Sequence, residues 1–300
     1  MGIMVTGGSG LVGSTINADI KLSSKDADLR NWNETISIFE KYKPDEVIHC
    51  AGKVGGVGSN MNYKGEFFYD NIMINTNVLE ACRITGVKKV VSFLSTCIFP
   101  DDIEYPLTEK KIHIGEPHNS NYAYAYAKRM LDIQSRAYKE QYGVNYTCVI
   151  PTNIYGPDDN FNLENGHVLP ALIHKCYLAK KNNTDFVVWG SGKPLREFIY
   201  SEDIAKLTEW ALDNYDESEP IIFSTSDEIS IGNVAEMVVY YMGFKGKLIL
   251  DDEKPDGQFR KPSDNSKLKS YLPDFEFTPI DKGIEKSVNW FVENYEEARK

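Results

Sequence analysis

The chain has 300 residues, 42% hydrophobic and 26% charged, the make-up of a soluble α/β protein with one large domain or two smaller ones. Its net charge of −11 argues against nonspecific nucleic-acid binding, but not against a small phosphate-bearing ligand held by local donors. There is no membrane-length apolar run and no signal-peptide pattern, and the five cysteines (50, 82, 97, 148 and 176) lack a metal-ligand spacing, so a cytoplasmic protein with free thiols and no metal is expected.

Gly2-Ile3-Met4-Val5-Thr6 predicts a short buried strand. Gly7, Gly8, Ser9, Gly10, Leu11, Val12 and Gly13 follow at once. Glycines at 7, 10 and 13 let the backbone turn tightly, approach a pyrophosphate and pack a helix close to a sheet. Residues 14–22 must then hold both a first helix and the start of a second strand, a very short crossover. Ile20-Lys21-Leu22 predicts that strand. Ser23, Ser24 and Lys25 lie at its end, two hydroxyls and a cation where an NAD enzyme usually has an acid, which favours NADP.

Residues 34–43 have the pattern of an amphipathic helix, and the strand after Pro44 ends at Ala51-Gly52. A helix is expected over 69–83 and a strand over 87–94, ending in Ser95-Thr96-Cys97. In Asn121-Tyr122-Ala123-Tyr124-Ala125-Tyr126-Ala127-Lys128, only Tyr124 lies four residues before the lysine. On a helix the two share a face, and an ammonium there lowers the phenol's pKa and fits it for proton transfer. A further strand over 144–150 completes the alternation of a doubly wound parallel sheet. Ligands bind such sheets at the carboxyl ends of strands, where Gly7, Ser95 and Asn153 should converge. Helices are expected over 167–181, from Ser201 with that serine as cap, over 230–242 and over 283–294. The expected division is a dinucleotide-binding domain over 1–157, to which residues near 198–235 return, and a smaller substrate domain over 158–300.

The glycine loop, the strand-end Ser95 and the pair Tyr124 and Lys128, in that order, resemble the extended short-chain dehydrogenases/reductases, whose fold is Rossmann-like. The resemblance implies that Ser95 hydrogen-bonds a carbonyl oxygen, Tyr124 protonates it, and Lys128 lowers the tyrosine's pKa and grips the nicotinamide ribose. It also implies that the turn holding Asp28 contacts adenine. Further marks are Ser95-Thr96-Cys97-Ile98-Phe99-Pro100, the run from Pro151 to Phe161, His167-Val168-Leu169-Pro170 and Asp256-Gly257-Gln258-Phe259. Together they resemble the GDP-L-fucose synthases over nearly the whole chain.

That resemblance implies epimerisation of GDP-4-keto-6-deoxy-D-mannose at carbons three and five and reduction of carbon four with NADPH. It implies a homodimer built on the helices around 69–83 and 124–142. Cys97 fits the base, as a thiol pulled down by local positive charge, and His167 the acid, as an imidazole charged near neutral pH. The cofactor contacts implied are residues 7–13, Ser24, Lys25, Asp28, Lys128, Pro151, Thr152, Asn153, Ile154 and His167. Lys175, Trp189, Arg196 and Asp256 are implied for the GDP-sugar. A 4,6-dehydratase would want an acid pair after the serine, where Thr96 and Cys97 stand. A non-catalytic dinucleotide sensor would have no need of Tyr124 and Lys128.

Overall fold

Six parallel strands order the chain. They are β1 (Ile3–Thr6), β2 (Ile20–Leu22), β3 (Glu46–His49), β4 (Lys89–Phe93), β5 (Asn145–Pro151) and, from the second half, β9 (Ile221–Phe223), arranged β2-β1-β3-β4-β5-β9. The computed structural model describes residues 2–254, 256 and 258–300, so Gly257 lies outside the described residues. β4 is buried along its whole length, as a parallel strand covered on both faces must be. Val90 faces one apolar layer, with α1 (Trp32–Tyr42), α3 (Lys64–Thr85) and α4 (Tyr122–Tyr142). Val91 faces the other, with α6 (Ser201–Asn214) and α8 (Ser266–Tyr271). The strand order reverses between β1 and β3, and the site opens at that carboxyl edge.

The first crossover departs from expectation. Residues 7–16 form turns and no α-helix. Ser14 N–H bonds the Gly10 carbonyl at 2.9 Å and Ile16 N–H the Val12 carbonyl at 3.3 Å, one helical turn's worth of bonds. The span between Thr6 and Ile20 is too short for a full helix and two loops. Ile16 is fully buried in the layer that holds α6. The helix expected over 69–83 begins earlier, at Lys64, directly after α2 (Val57–Asn62).

The second half builds its own core. β6 (Asn153–Tyr155), β8 (Leu195–Tyr200) and β10 (Glu228–Ser230) form a three-stranded sheet, and β7 (Phe186–Trp189) pairs with β11 (Leu248–Asp251). α5 (Val168–Asn182), α7 (Ile231–Met242) and α9 (Ile280–Glu293) enclose Tyr155, Phe161, Phe198 and Phe291. From there the chain returns: α6 packs on β3 and β4, and β9 pairs with β5. Ser201 is not the cap of α6. Tyr200 holds that position, Ser201 is the first helical residue, and its buried Oγ has no partner among the described residues. The first-turn acids are present, but Asp203 accepts from Thr278 N–H at 2.7 Å and Thr278 Oγ1 at 2.9 Å, pinning the approach to α9.

Phe291 is fully buried and stacks on Phe161 with ring centroids 4.3 Å apart. Phe291→Ala removes that ring from a closed core and is expected to cost about 3–5 kcal/mol. Thermal or urea unfolding measures it. A loss near zero would mean that the second core does not depend on this stack.

Candidate active site

The glycine loop has the shape of an anion cradle. Gly7 has φ 71°, and a Cβ there would lie 2.9 Å from Ala51 N. A Cβ on Gly13 would lie 2.3 Å from the Gly7 carbonyl oxygen, so the loop closes only with hydrogen at that position. Among the described residues, the N–H groups of Leu11 and Val12 have no intramolecular acceptor, and they suit a diphosphate. Gly8 N–H is engaged at the back of the loop, at 2.7 Å from the Leu22 carbonyl.

At the end of β2, Ser23 is tied to Asp26 through its N–H and hydroxyl at 2.7 and 2.8 Å. Ser24 and Lys25 are exposed, and Lys25 Nζ makes no hydrogen bond among the described residues. The Asp28 carboxylate is taken up by Arg30, whose guanidinium also reaches Asp70 at 3.2 Å. The Arg30–Asp28 hydrogen bond holds the Asp28 pKa below the ordinary carboxylate value. At the other end of the crevice, Thr152 N–H bonds the Phe223 carbonyl and its buried Oγ1 lacks a partner among the described residues. Pro151 ends β5, Asn153 Nδ2 donates to the Glu197 carbonyl at 2.7 Å, and Ile154 lies in β6. The cradle, its free amides and the orphan hydroxyl fit a dinucleotide.

The groups expected to react lie around the mouth of β4. Ser95 caps the 3-10 turn Thr96–Ile98, its hydroxyl accepting from Cys97 N–H at 3.4 Å. Tyr124 and Lys128 lie one turn apart on α4, both buried, with Lys128 Nζ 5.9 Å from the tyrosine ring centre. Lys128 Nζ donates to the Phe93 carbonyl at 2.8 Å. The expected fall in the Tyr124 pKa is absent. Burial pushes the phenol up, with the Cys97 thiolate adding to it, and pushes Lys128 down to about 8. Desolvation is the largest cause of both shifts. Cys97 is half-buried, and its thiol is likewise not pulled down. Burial raises it, against the Ser95 hydroxyl and then the charges of Lys261 and Lys128.

His167 is the N-cap residue of α5 and is exposed; the charged imidazole expected near neutral pH is disfavoured, because desolvation holds its pKa below the ordinary value. The loop before it is fixed by Asp159, a buried carboxylate that accepts from Asn160 N–H at 2.7 Å and whose pKa burial raises to about 7.

Trp189, Arg196 and Asp256 line one cavity of about 170 Å³ with Val168, next to His167. Lys175 Nζ stands 4.4 Å over the Trp189 ring. Burial lowers the pKa of both Lys175 and Arg196. Asp256 is already engaged by Ser191 N–H at 2.6 Å and Ser191 Oγ at 2.7 Å, so it shapes the β7 exit loop. Among the described residues no cluster of three or more His, Cys, Asp or Glu side chains is placed to hold a metal.

Two features escaped the sequence reading. Lys261 has no hydrogen-bond partner among the described residues, and its charge acts on Cys97, Arg196 and Asp101, bridging the two groups of the site. Its signal was a cation shortly after Asp256. Asn71, buried on α3, exchanges hydrogen bonds with the Lys53 backbone, and a Cβ on Gly52 would lie 2.8 Å from Asn71 Oδ1 and 3.6 Å from Lys128 Nζ. No local pattern marks it.

The NAD dependent epimerase/dehydratase family model matches residues 3–225. A GDP-L-fucose synthase of Dictyostelium discoideum is 55% identical, covering 99% of this chain and 97% of its own. A probable GDP-L-fucose synthase of Drosophila melanogaster is 46% identical, covering 99% of both. A crystal structure of a Naegleria fowleri GDP-L-fucose synthetase bound to NADP superposes with a TM-score of 0.95 at 50% identity, covering 99% of this chain and 94% of the other.

Lys261 supplies a test of the thiol's surroundings. Lys261→Met removes a cation that favours the thiolate, so the pH midpoint for iodoacetamide alkylation of Cys97 should rise by about one pH unit. Lys261→Arg should leave it in place. Mass spectrometry of the Cys97 peptide measures both, and an unmoved midpoint in Lys261→Met would show that the charge does not reach the sulfur.

Proposed function

The chain belongs to the NAD dependent epimerase/dehydratase family, among the GDP-L-fucose synthases, and on that footing we propose that it converts GDP-4-keto-6-deoxy-D-mannose to GDP-L-fucose with NADPH. The observation that carries the reading is Cys97 standing at the same strand mouth as Ser95, Tyr124 and Lys128. A reductase alone has no need of a thiol there.

The carbon-four carbonyl acidifies the hydrogens on carbons three and five, because the carbanion delocalises into the oxygen. Cys97, whose thiol must first give up its own proton because burial raises its pKa, takes such a proton as the thiolate, and the electron pair moves to the carbonyl oxygen, held by the Ser95 hydroxyl. His167 returns a proton to the opposite face as the imidazolium, the minor form given its lowered pKa, and inverts that carbon. Solvent then reloads histidine and discharges the thiol, and the step repeats at the second carbon. NADPH supplies the hydride that reduces carbon four. As the oxygen gains charge, Tyr124 gives it a proton, and Lys128 stabilises the phenolate left behind. The raised pKa of Tyr124 suits this role, since it keeps the donor loaded until the oxyanion develops.

Residues 7–13, Thr152 and Asn153 would hold NADP, with Ser24 and Lys25 toward its 2′-phosphate and Lys175, Trp189 and Arg196 toward the GDP-sugar. Residues 1–157 with the return near 198–235 form the cofactor unit, and 158–300 mainly the substrate unit. Five free cysteines suit the cytoplasm. Phe68, Tyr69 and Ile84 on α3 and Met130, Ile133 and Tyr142 on α4 are exposed apolar side chains, which suits a homodimer across these helices.

Three variants separate the half-reactions. Incubation with keto sugar in heavy water, NADPH withheld, should show no deuterium uptake with Cys97→Ser and some uptake at one carbon with His167→Asn. Tyr124→Phe should keep NADPH binding and lose reduction by at least about a hundredfold. Full uptake by Cys97→Ser would place the base elsewhere. For the dimer, Ile133→Glu should halve the mass found by light scattering, and an unchanged mass would remove these helices from the interface.

A further inference from the structure

One buried ring has no part in the chemistry above. His49 ends β3 and is fully enclosed. Its Nδ1 lies 2.8 Å from Thr6 Oγ1 and its Nε2 lies 3.0 Å from Asn75 Oδ1. The direction of each bond follows from the ends of the chain. Asn75 Nδ2 donates to the Ala127 carbonyl at 3.4 Å, which turns the amide oxygen toward His49. An amide oxygen only accepts, so Nε2 carries the ring proton and Nδ1 accepts from Thr6. The Thr6 oxygen in turn accepts from Ala51 N–H at 3.3 Å. Burial, then the nearby charge of Lys128, hold the imidazole down at about 3, so it is neutral at any working pH.

The two ends of this chain matter. Ala51 is the residue against which Gly7 packs its bare α-carbon. Ala127 immediately precedes Lys128 and lies within a turn of Tyr124. Asn71, one turn before Asn75 on α3, anchors Lys53 just beyond the same strand exit. A relay of hydrogen bonds therefore runs from Ala51, against which the glycine loop packs, to the helix that bears Tyr124 and Lys128.

We propose that His49 is a positioning residue for the reduction step: through Thr6 and Asn75 it sets the register of α4, with Tyr124 and Lys128, against the strand exit beside the glycine loop. The inference rests on the roles given above to Tyr124 and Lys128. Cys97 and His167 stand on the 3-10 turn and on α5, outside the relay. Loss of His49 should therefore slow reduction and spare carbon-proton exchange. A histidine that only fills the core would affect both in proportion to the folded fraction.

His49→Phe keeps a flat ring and removes both bonds, His49→Gln keeps one donor and one acceptor, and Thr6→Val removes the hydroxyl alone. Each is assayed for NADPH oxidation with keto sugar, for deuterium uptake without NADPH, and for melting temperature. His49→Phe should lower kcat for NADPH oxidation by about ten- to a hundredfold, since a displacement of the order of an ångström is enough for that. Its KM for NADPH and its deuterium uptake should stay within about threefold of wild type. His49→Gln should recover most of the loss, and Thr6→Val should show the same split at smaller size, which keeps the question decidable if His49→Phe does not fold. Equal loss in both half-reactions, or no advantage of glutamine over phenylalanine, overturns the proposal. Tyr124→Phe run alongside separates the two levels: if it retains reduction, the role of Tyr124 is wrong, whereas a dead Tyr124→Phe beside unsplit His49 variants removes only the relay.

Discussion

A buried carboxylate ties the two halves together. Glu197, in β8 and 3% exposed, accepts from Ser263 N–H at 2.9 Å, Ser263 Oγ at 2.5 Å and Ser224 Oγ at 2.9 Å, while its backbone carbonyl takes Asn153 Nδ2. Burial pushes its pKa up and these donors pull it back. An ion in that position is tolerated only while its oxygens are filled, so the segments that supply the donors cannot drift apart cheaply. Arg196 precedes it in the strand, and Lys261 lies two residues before Ser263. The cations that face the cleft from the second half thus hang on the same knot.

Dryness sets the resting charges of the site. Tyr124 and the Cys97 thiol are both held neutral by desolvation, and Lys128 is brought close to its titration point. A site so arranged discriminates by timing. Tyr124 and Cys97 carry little charge of their own and respond to charge that develops on a bound molecule, where preorganised donors act most strongly.

Local spacing carried most of what the sequence revealed. The glycine loop follows a strand at once, and Tyr124 and Lys128 are four residues apart, so both are legible from neighbours along the chain. The residues that the family resemblance implies for the substrate lie together, Trp189 and Arg196 in one cavity and Lys175 over the Trp189 ring, although Asp256 is spent on Ser191. What stayed hidden depends on distant pairing. His49 and Asn75 look like an ordinary strand end and an ordinary helix position until the sheet brings Thr6 and α4 to either side. The phenol's pKa follows the same rule, because spacing shows the ammonium one turn away but not the burial that raises the pKa. Ser201 missed its cap because β8 runs straight into α6 and Tyr200 takes the corner.

The abbreviated first crossover fastens the glycine loop from behind. Gly8 N–H bonds the Leu22 carbonyl, and a Cβ on Gly8 would fall 2.6 Å from the Lys21 side chain. With no helix between them, the diphosphate cradle and the strand ending at Ser23, Ser24 and Lys25 are one mechanical piece. On the cofactor contacts proposed above, recognition at the adenosine end would be inseparable from grip on the middle. On those contacts, an engineer who rebuilt that strand end to exchange one nicotinamide cofactor for another would also retune the cradle, and selectivity and tightness would shift together.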